Sequence, residues 1–167
     1  MSVPARAAAL CAALVLPILA DAAEPATYTV RQLTEETALR AAQAAIASCR
    51  RSGYQVAVAV VDRAGVAQVV LRDRFAGAHT IEVSMGKAWT AASTRTSTAE
   101  IQRMTAPGEK LSGLRNVPRI VALAGGLPIE AGGSVLGAIG VSGAPGGEAD
   151  EACAKAGIAA IADELEF

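Results

Sequence analysis

Apolar positions at Leu39, Ala42, Ile46 and Cys49 recur at helical spacing and predict a helix with one core-facing stripe. Thr34 is its expected N-cap, Glu35 and Glu36 suit the positive end of the helix dipole, Arg50 and Arg51 suit the other end, and Gly53 supplies the stop. From Gln55 the pattern changes. QVAVAVVD is apolar on both alternating faces, as in a central strand covered on two sides, and VAQVVLR from Val66 to Arg72 follows the short turn Asp62-Arg63-Ala64-Gly65. The two runs predict an antiparallel hairpin.

Helical periodicity returns from Gly77 to Thr94, where Ile81, Met85, Ala88, Trp89 and Ala92 form the stripe expected to face the core. On the other side of this helix His79, Val83, Gly86, Thr90 and Thr94 fall in a mixed band. Glycine within a helix costs up to about 1 kcal/mol, so Gly86 suggests that another backbone or a flat ligand comes close there. Ser97 to Arg103 predicts a short helix, and the chain from Thr105 to Pro118 has weak periodicity around a Pro-Gly loop. Ile120 to Ala124 and Leu127 to Ala131 are expected as extended pieces broken by Gly125-Gly126, and Gly132-Gly133 turns the chain into a strand from Ser134 to Ser142. Gly143 to Gly147 ends that strand, and Glu148, Asp150 and Glu151 open a last helix expected to reach about Glu164. This order predicts an α/β sandwich around an antiparallel sheet.

Composition narrows the function. The 167 residues are 52% hydrophobic but only 3% aromatic, so one core must be filled by Val, Ile, Leu and closely approaching Ala and Gly. A net charge of −1 with scattered signs excludes a basic field for nucleic acid. Arg6, the apolar run Ala7 to Ala20 and the small-x-small pattern Ala20-Asp21-Ala22 mark residues 1–23 as a signal peptide, leaving a single domain over residues 27–167 and no stable membrane span after its removal. The expected location is periplasmic or secreted. Cys11 lies within the signal; Cys49 and Cys153 sit among alanines on apolar faces and read as two buried free thiols, with a bridge as the alternative that export permits. No CxxC, GxGxxG, GxxxxGK[ST] or GxSxG occurs, and a single histidine excludes a multi-histidine metal site.

Three ordered blocks then carry a resemblance: AVVDRAGVAQVVLRDRFAG, KAWTAA from Lys87 to Ala92, and AGGLPIEAGGSVLGAIGVSGAPGGEADEACAKAG. Together they resemble the GlcG/HbpS-like haem-binding family over about residues 33–165. The resemblance implies a profilin-like α-β-α sandwich, homo-oligomers, often octamers, and in exported members binding of haem or a related tetrapyrrole, while other members have no settled activity; the first reading is an exported binding protein that captures such a ligand. It associates the ligand with the helix from Gly77 and matches Thr90 to a threonine near the iron. His79 is the stronger iron ligand chemically, since imidazole binds iron well. The expected cofactor-binding set is therefore His79, Val83, Gly86, Lys87, Thr90 and Arg95, with His79 and Thr90 at the metal; Lys87, Arg95 and Arg103 are candidates for propionates, and Met85 and Met104 are soft alternative ligands. A second reading is an enzyme or sensor for a small carboxylate or hydroxy acid, built from the Gly-rich corner and Glu148, Asp150 and Glu151. A third is a structural oligomer without a ligand.

Overall fold

The computed structural model describes residues 25–165, so the expected signal peptide at residues 1–23 lies outside the described residues. One compact unit begins at Arg31 and contains every element below. Four helices and four strands follow in the order α1 (Glu35–Arg51), β1 (Ala57–Asp62), β2 (Ala67–Arg72), α2 (His79–Thr94), α3 (Thr98–Met104), β3 (Gly126–Ala131), β4 (Ser134–Ser142) and α4 (Gly147–Ala159), with short 3-10 turns at Ser112–Asn116 and Ala162–Glu164. The last helix ends before the expected Glu164. Thr34 does cap α1, accepting a hydrogen bond from the Thr37 amide.

The strands form one antiparallel sheet in the order β2-β1-β4-β3, so the two hairpins meet along β1 and β4 with Val60 opposite Ile139. Strand alternation divides the core into two layers. Val58, Val60, Ile139 and Val141 face α1 and α4; Ala59, Val61 and Ala138 face α2. Helices on both faces explain why β1 is apolar and buried from Ala57 to Val61. Ile120 to Ala124 does not form a strand; it runs as irregular chain across α2 before β3 begins at Gly126.

Three expectations are corrected by the packing. Leu39, assigned to the buried stripe of α1, is 38% exposed, and the small residues Ala38, Ala41 and Ala45 are buried in its place. On α2 the expected stripe holds at Ala88 and Ala92, which are buried with Met85 packed beside them, but Ile81 is 37% exposed and Trp89 half-buried, while Thr80, Ser84, Lys87 and Ala91, outside the stripe, are buried. The reason is distance. A Cβ on Gly140 of β4 would stand 2.1 Å from the Ser84 carbonyl oxygen and 2.6 Å from the Ala88 nitrogen, so helix and strand backbones touch and leave no room for large side chains. The third correction concerns the cysteines. Cys49 and Cys153 are joined in a disulfide, with Cα atoms 5.5 Å apart, because α1 and α4 pack side by side on one face.

Gly140→Ala should therefore cost about 3 kcal/mol, since backbone atoms rather than flexible side chains obstruct the new methyl. Urea unfolding measures it; a loss below about 0.5 kcal/mol, as for a surface change, would contradict this packing.

Candidate functional site

One face of α2 reaches beyond the sheet. His79, Val83 and Lys87, spaced four apart, line a cleft of about 370 Å³ whose other walls are Gln102, Leu123, Ala124 and the corner Ser142 to Gly147 with Glu148 and Asp150. The structure thus brings together three of the six expected cofactor residues. His79 is exposed at the first position of α2, and its imidazole lies over Gly77, where an added Cβ would meet the ring Cε1 at 2.7 Å. Among the described residues neither ring nitrogen has a hydrogen-bond partner.

Lys87 differs in kind. Its side chain is 2% exposed, and Nζ donates to Asp150 Oδ2 at 2.7 Å and to the Val141 carbonyl at 2.8 Å. Asp150, 6% exposed, also accepts from the Ala144 amide at 3.0 Å. Burial raises the Asp150 carboxyl above its ordinary value, against the opposing effects of the Lys87 hydrogen bond and charge and the Ala144 amide. This ion pair joins α2, β4 and the start of α4 behind the cleft wall. It is not a free charge for a propionate. A lysine at the spacing of Ser84, Ala88 and Ala91 was the available sign, because a cation on a buried helix face needs a buried partner.

The remaining expected residues are placed elsewhere. A Cβ on Gly86 would meet Val121 Cγ2 at 2.4 Å, so a neighbouring chain does approach there, as its mid-helix position suggested. The same segment engages Thr90: its buried hydroxyl accepts from the Val121 amide at 2.9 Å and donates to the Arg119 carbonyl at 3.4 Å. Arg119 also places its guanidinium 4.7 Å from the Trp89 ring centre. Arg95 ends α2 in a left-handed conformation, exposed and lining neither of the clefts described here. Met85 packs beside the alanines under α2, and Met104 is exposed.

A second cleft, of about 620 Å³, adjoins the first across Gln102, Ala124 and Glu148. Arg103 and Arg115 stand on its α3 side, and Glu148, Glu151 and Lys155 on α4. Of the three acids at the start of α4, two therefore face this cleft and Asp150 faces inward. Among the described residues no group of three or more His, Cys, Asp or Glu is placed to hold a metal ion, and no helix is long and apolar enough to cross a membrane.

Residues 33–159, which span the sheet, α2 and all of α4, match the family described as haem degrading protein HbpS-like. The chain belongs to the HbpS-like family. An uncharacterized 15.0 kDa protein in the dhaT-dhaS intergenic region of Citrobacter freundii is 37% identical over 116 residues, 68% of this chain and 82% of that protein. The crystal structure of HbpS is 40% identical with a TM-score of 0.76, covering 80% of this chain and 93% of that one. The PduOC:heme complex is 30% identical with a TM-score of 0.74, covering 78% and 95%. The α/β architecture read from the HbpS-like sequence is thus shared with these structures. Arg103, Glu148 and Glu151 of the second cleft were among the expected candidates, whereas Leu123 and Arg115 were not, because the irregular chain between α3 and β3 has no periodicity from which to place them, and Gln102 on α3 carried no sign of its own.

Proposed function

We propose that this HbpS-like protein captures haem or a related tetrapyrrole in the cleft at the start of α2, with His79 as the iron ligand. The observation that carries the reading is the imidazole itself: it is exposed at the cleft mouth, and neither nitrogen is occupied by another described residue. Similarity to a haem complex and to HbpS supports it. The donor set fits the group. An imidazole is a common proximal ligand of haem iron, and Val83, Leu123 and Ala124 provide apolar contacts for a ring edge. Bound haem would supply an iron centre and a strong visible absorption; the protein's own part is to ligate, cover and orient.

A volume of about 370 Å³ lies near the small end of ligand pockets, typically about 300–1,000 Å³, so this cleft grips one edge of a tetrapyrrole. We infer that a homo-oligomer covers the rest. Support comes from large apolar side chains left exposed on the monomer, including Phe75, Ile81 and Leu123. Thr90, with its hydroxyl spent on the segment 119–121, is assigned to holding that segment on α2 instead of to iron. Export to an oxidising compartment is the proposed location, supported by the N-terminal signal pattern and by the Cys49–Cys153 bridge.

Haemin titration of the purified protein should give a saturable Soret shift in the micromolar range. His79→Ala should weaken binding roughly tenfold or more, and Arg95→Ala, remote from the cleft, should leave the curve unchanged. Absence of a shift, or equal binding by His79→Ala, would reject His79 as the ligand.

A further inference from the structure

The second cleft presents two unlike walls. On the α3 side, Arg115 donates through Nε to the Thr105 carbonyl at 2.6 Å and hydroxyl at 3.0 Å, and through Nη2 to the Gln102 carbonyl at 3.0 Å. All three acceptors are neutral, and among the described residues no carboxylate pairs with this guanidinium. It is a cation held in one orientation with Nη1 unspent, an arrangement suited to receiving a carboxylate. Gln102 is fixed as well: its Oε1 accepts from the Ala124 amide at 3.0 Å, which leaves the donor end of the side chain without a described partner. By contrast, the fork of neighbouring Arg103 is occupied by Glu100.

The α4 wall offers acceptors. Glu151 is only 17% exposed; one carboxylate oxygen, Oε1, is ion-paired with Lys155 Nζ at 2.7 Å, and the other, Oε2, is buried with no hydrogen-bond partner. A buried charged oxygen without a donor is unfavourable and asks for one. Glu148, one helical turn before it, adds a second carboxylate to the same wall. Between the walls the lining is small and apolar, from Ala99, Ala106 and Ala124.

We infer that this cleft is a binding site for a small molecule carrying both a protonated amine and a carboxylate, an amino acid in its zwitterionic form. The ammonium would donate to Glu151 Oε2 beside Glu148, and the carboxylate would meet Arg115 and the Gln102 amide. Each half alone leaves one wall unmatched: a simple carboxylate does nothing for Glu151, and a simple amine does nothing for Arg115. A hydroxy acid matches the Arg115 wall but offers a neutral hydroxyl to the carboxylates, a weaker hydrogen bond than an ammonium gives. The volume of about 620 Å³ is in the usual range for small ligands, and although the site shares Gln102, Ala124 and Glu148 with the first cleft, it uses neither His79 nor α2, so its test is separable from that of the haem reading.

The test uses the full chain. Thermal-shift screening against each of the twenty standard amino acids should identify at least one that stabilises the protein at millimolar concentration. Calorimetric titration then compares the best of them with the amine, the carboxylic acid and the 2-hydroxy acid of the same carbon skeleton; each should bind roughly tenfold more weakly or worse. Glu151→Gln and Arg115→Met should each weaken the amino acid by a similar factor while leaving the haemin titration unchanged. Binding by none of the twenty overturns the assignment. So does equal or tighter binding of a single-group analogue or of the hydroxy acid, or unchanged binding in both variants.

Discussion

Reduction of the Cys49–Cys153 disulfide should lower the thermal midpoint by on the order of 10–15 °C. The bond spans 104 positions of sequence and ties α1 to α4, the two helices that cover one face of the sheet. In the chain-entropy account a loop of about 100 residues restricts the unfolded state by about 4–5 kcal/mol, and for a domain of this size each kcal/mol corresponds to about 3 °C. Both cysteines are buried, so the native protein should resist reductant until it opens. Calorimetry of the oxidised protein, of protein reduced in denaturant and refolded, and of Cys49→Ala/Cys153→Ala checks the expectation. Two titratable thiols in the protein isolated from an oxidising compartment would instead restore the free-thiol reading of the sequence.

Lys87→Met should cost about 3–5 kcal/mol, comparable to the disulfide, because it leaves Asp150 buried without its cation. The double variant Lys87→Met/Asp150→Leu should recover much of the loss, since replacing a buried pair with apolar side chains removes both desolvation costs together. If the double variant is as unstable as the single one, the pair is not the source of the effect. The pH dependence has a definite sign. Burial lifts the folded-state Asp150 carboxyl above its unfolded value, so its contribution is fully present below the unfolded value and is lost as pH rises through the raised one. Urea midpoints measured upward from the ordinary aspartate range should therefore decline by a component that disappears in Asp150→Asn. Because the pair holds the start of α4 against α2, Lys87→Met should also weaken haemin binding without any loss of the His79 ligand.

Much of the fold was legible locally. The N-cap Thr34, the turn at Gly132-Gly133 and the bounds of β4 at Ser134 and Ser142 all follow from residue type and spacing. The candidate site was legible in part. His79, Val83 and Lys87 were already placed on one helix and do line one cleft, whereas Gly86 and Thr90 lie under residues 119–121. Nothing periodic in that irregular segment reveals which helix it crosses. For α2 the hydrophobic signal was right only in part: Ala88, Ala92 and Met85 do pack toward the sheet, but Ile81 and Trp89 stay partly exposed while Ser84 and Ala91, outside the stripe, share the contact.

By itself, the sequence determined most of the elements, the two antiparallel hairpins and the family, because capping, alternation and turn chemistry act over a few residues and motif blocks persist in order. Tertiary structure decided the rest. Only the folded chain selects the face of α2 that meets Gly140, joins Cys49 to Cys153 across 104 positions, and brings Lys87 to Asp150 across 63. The physical reason is common to all three: small side chains carry little hydrophobic signal, yet by letting backbones touch they set which distant groups become neighbours.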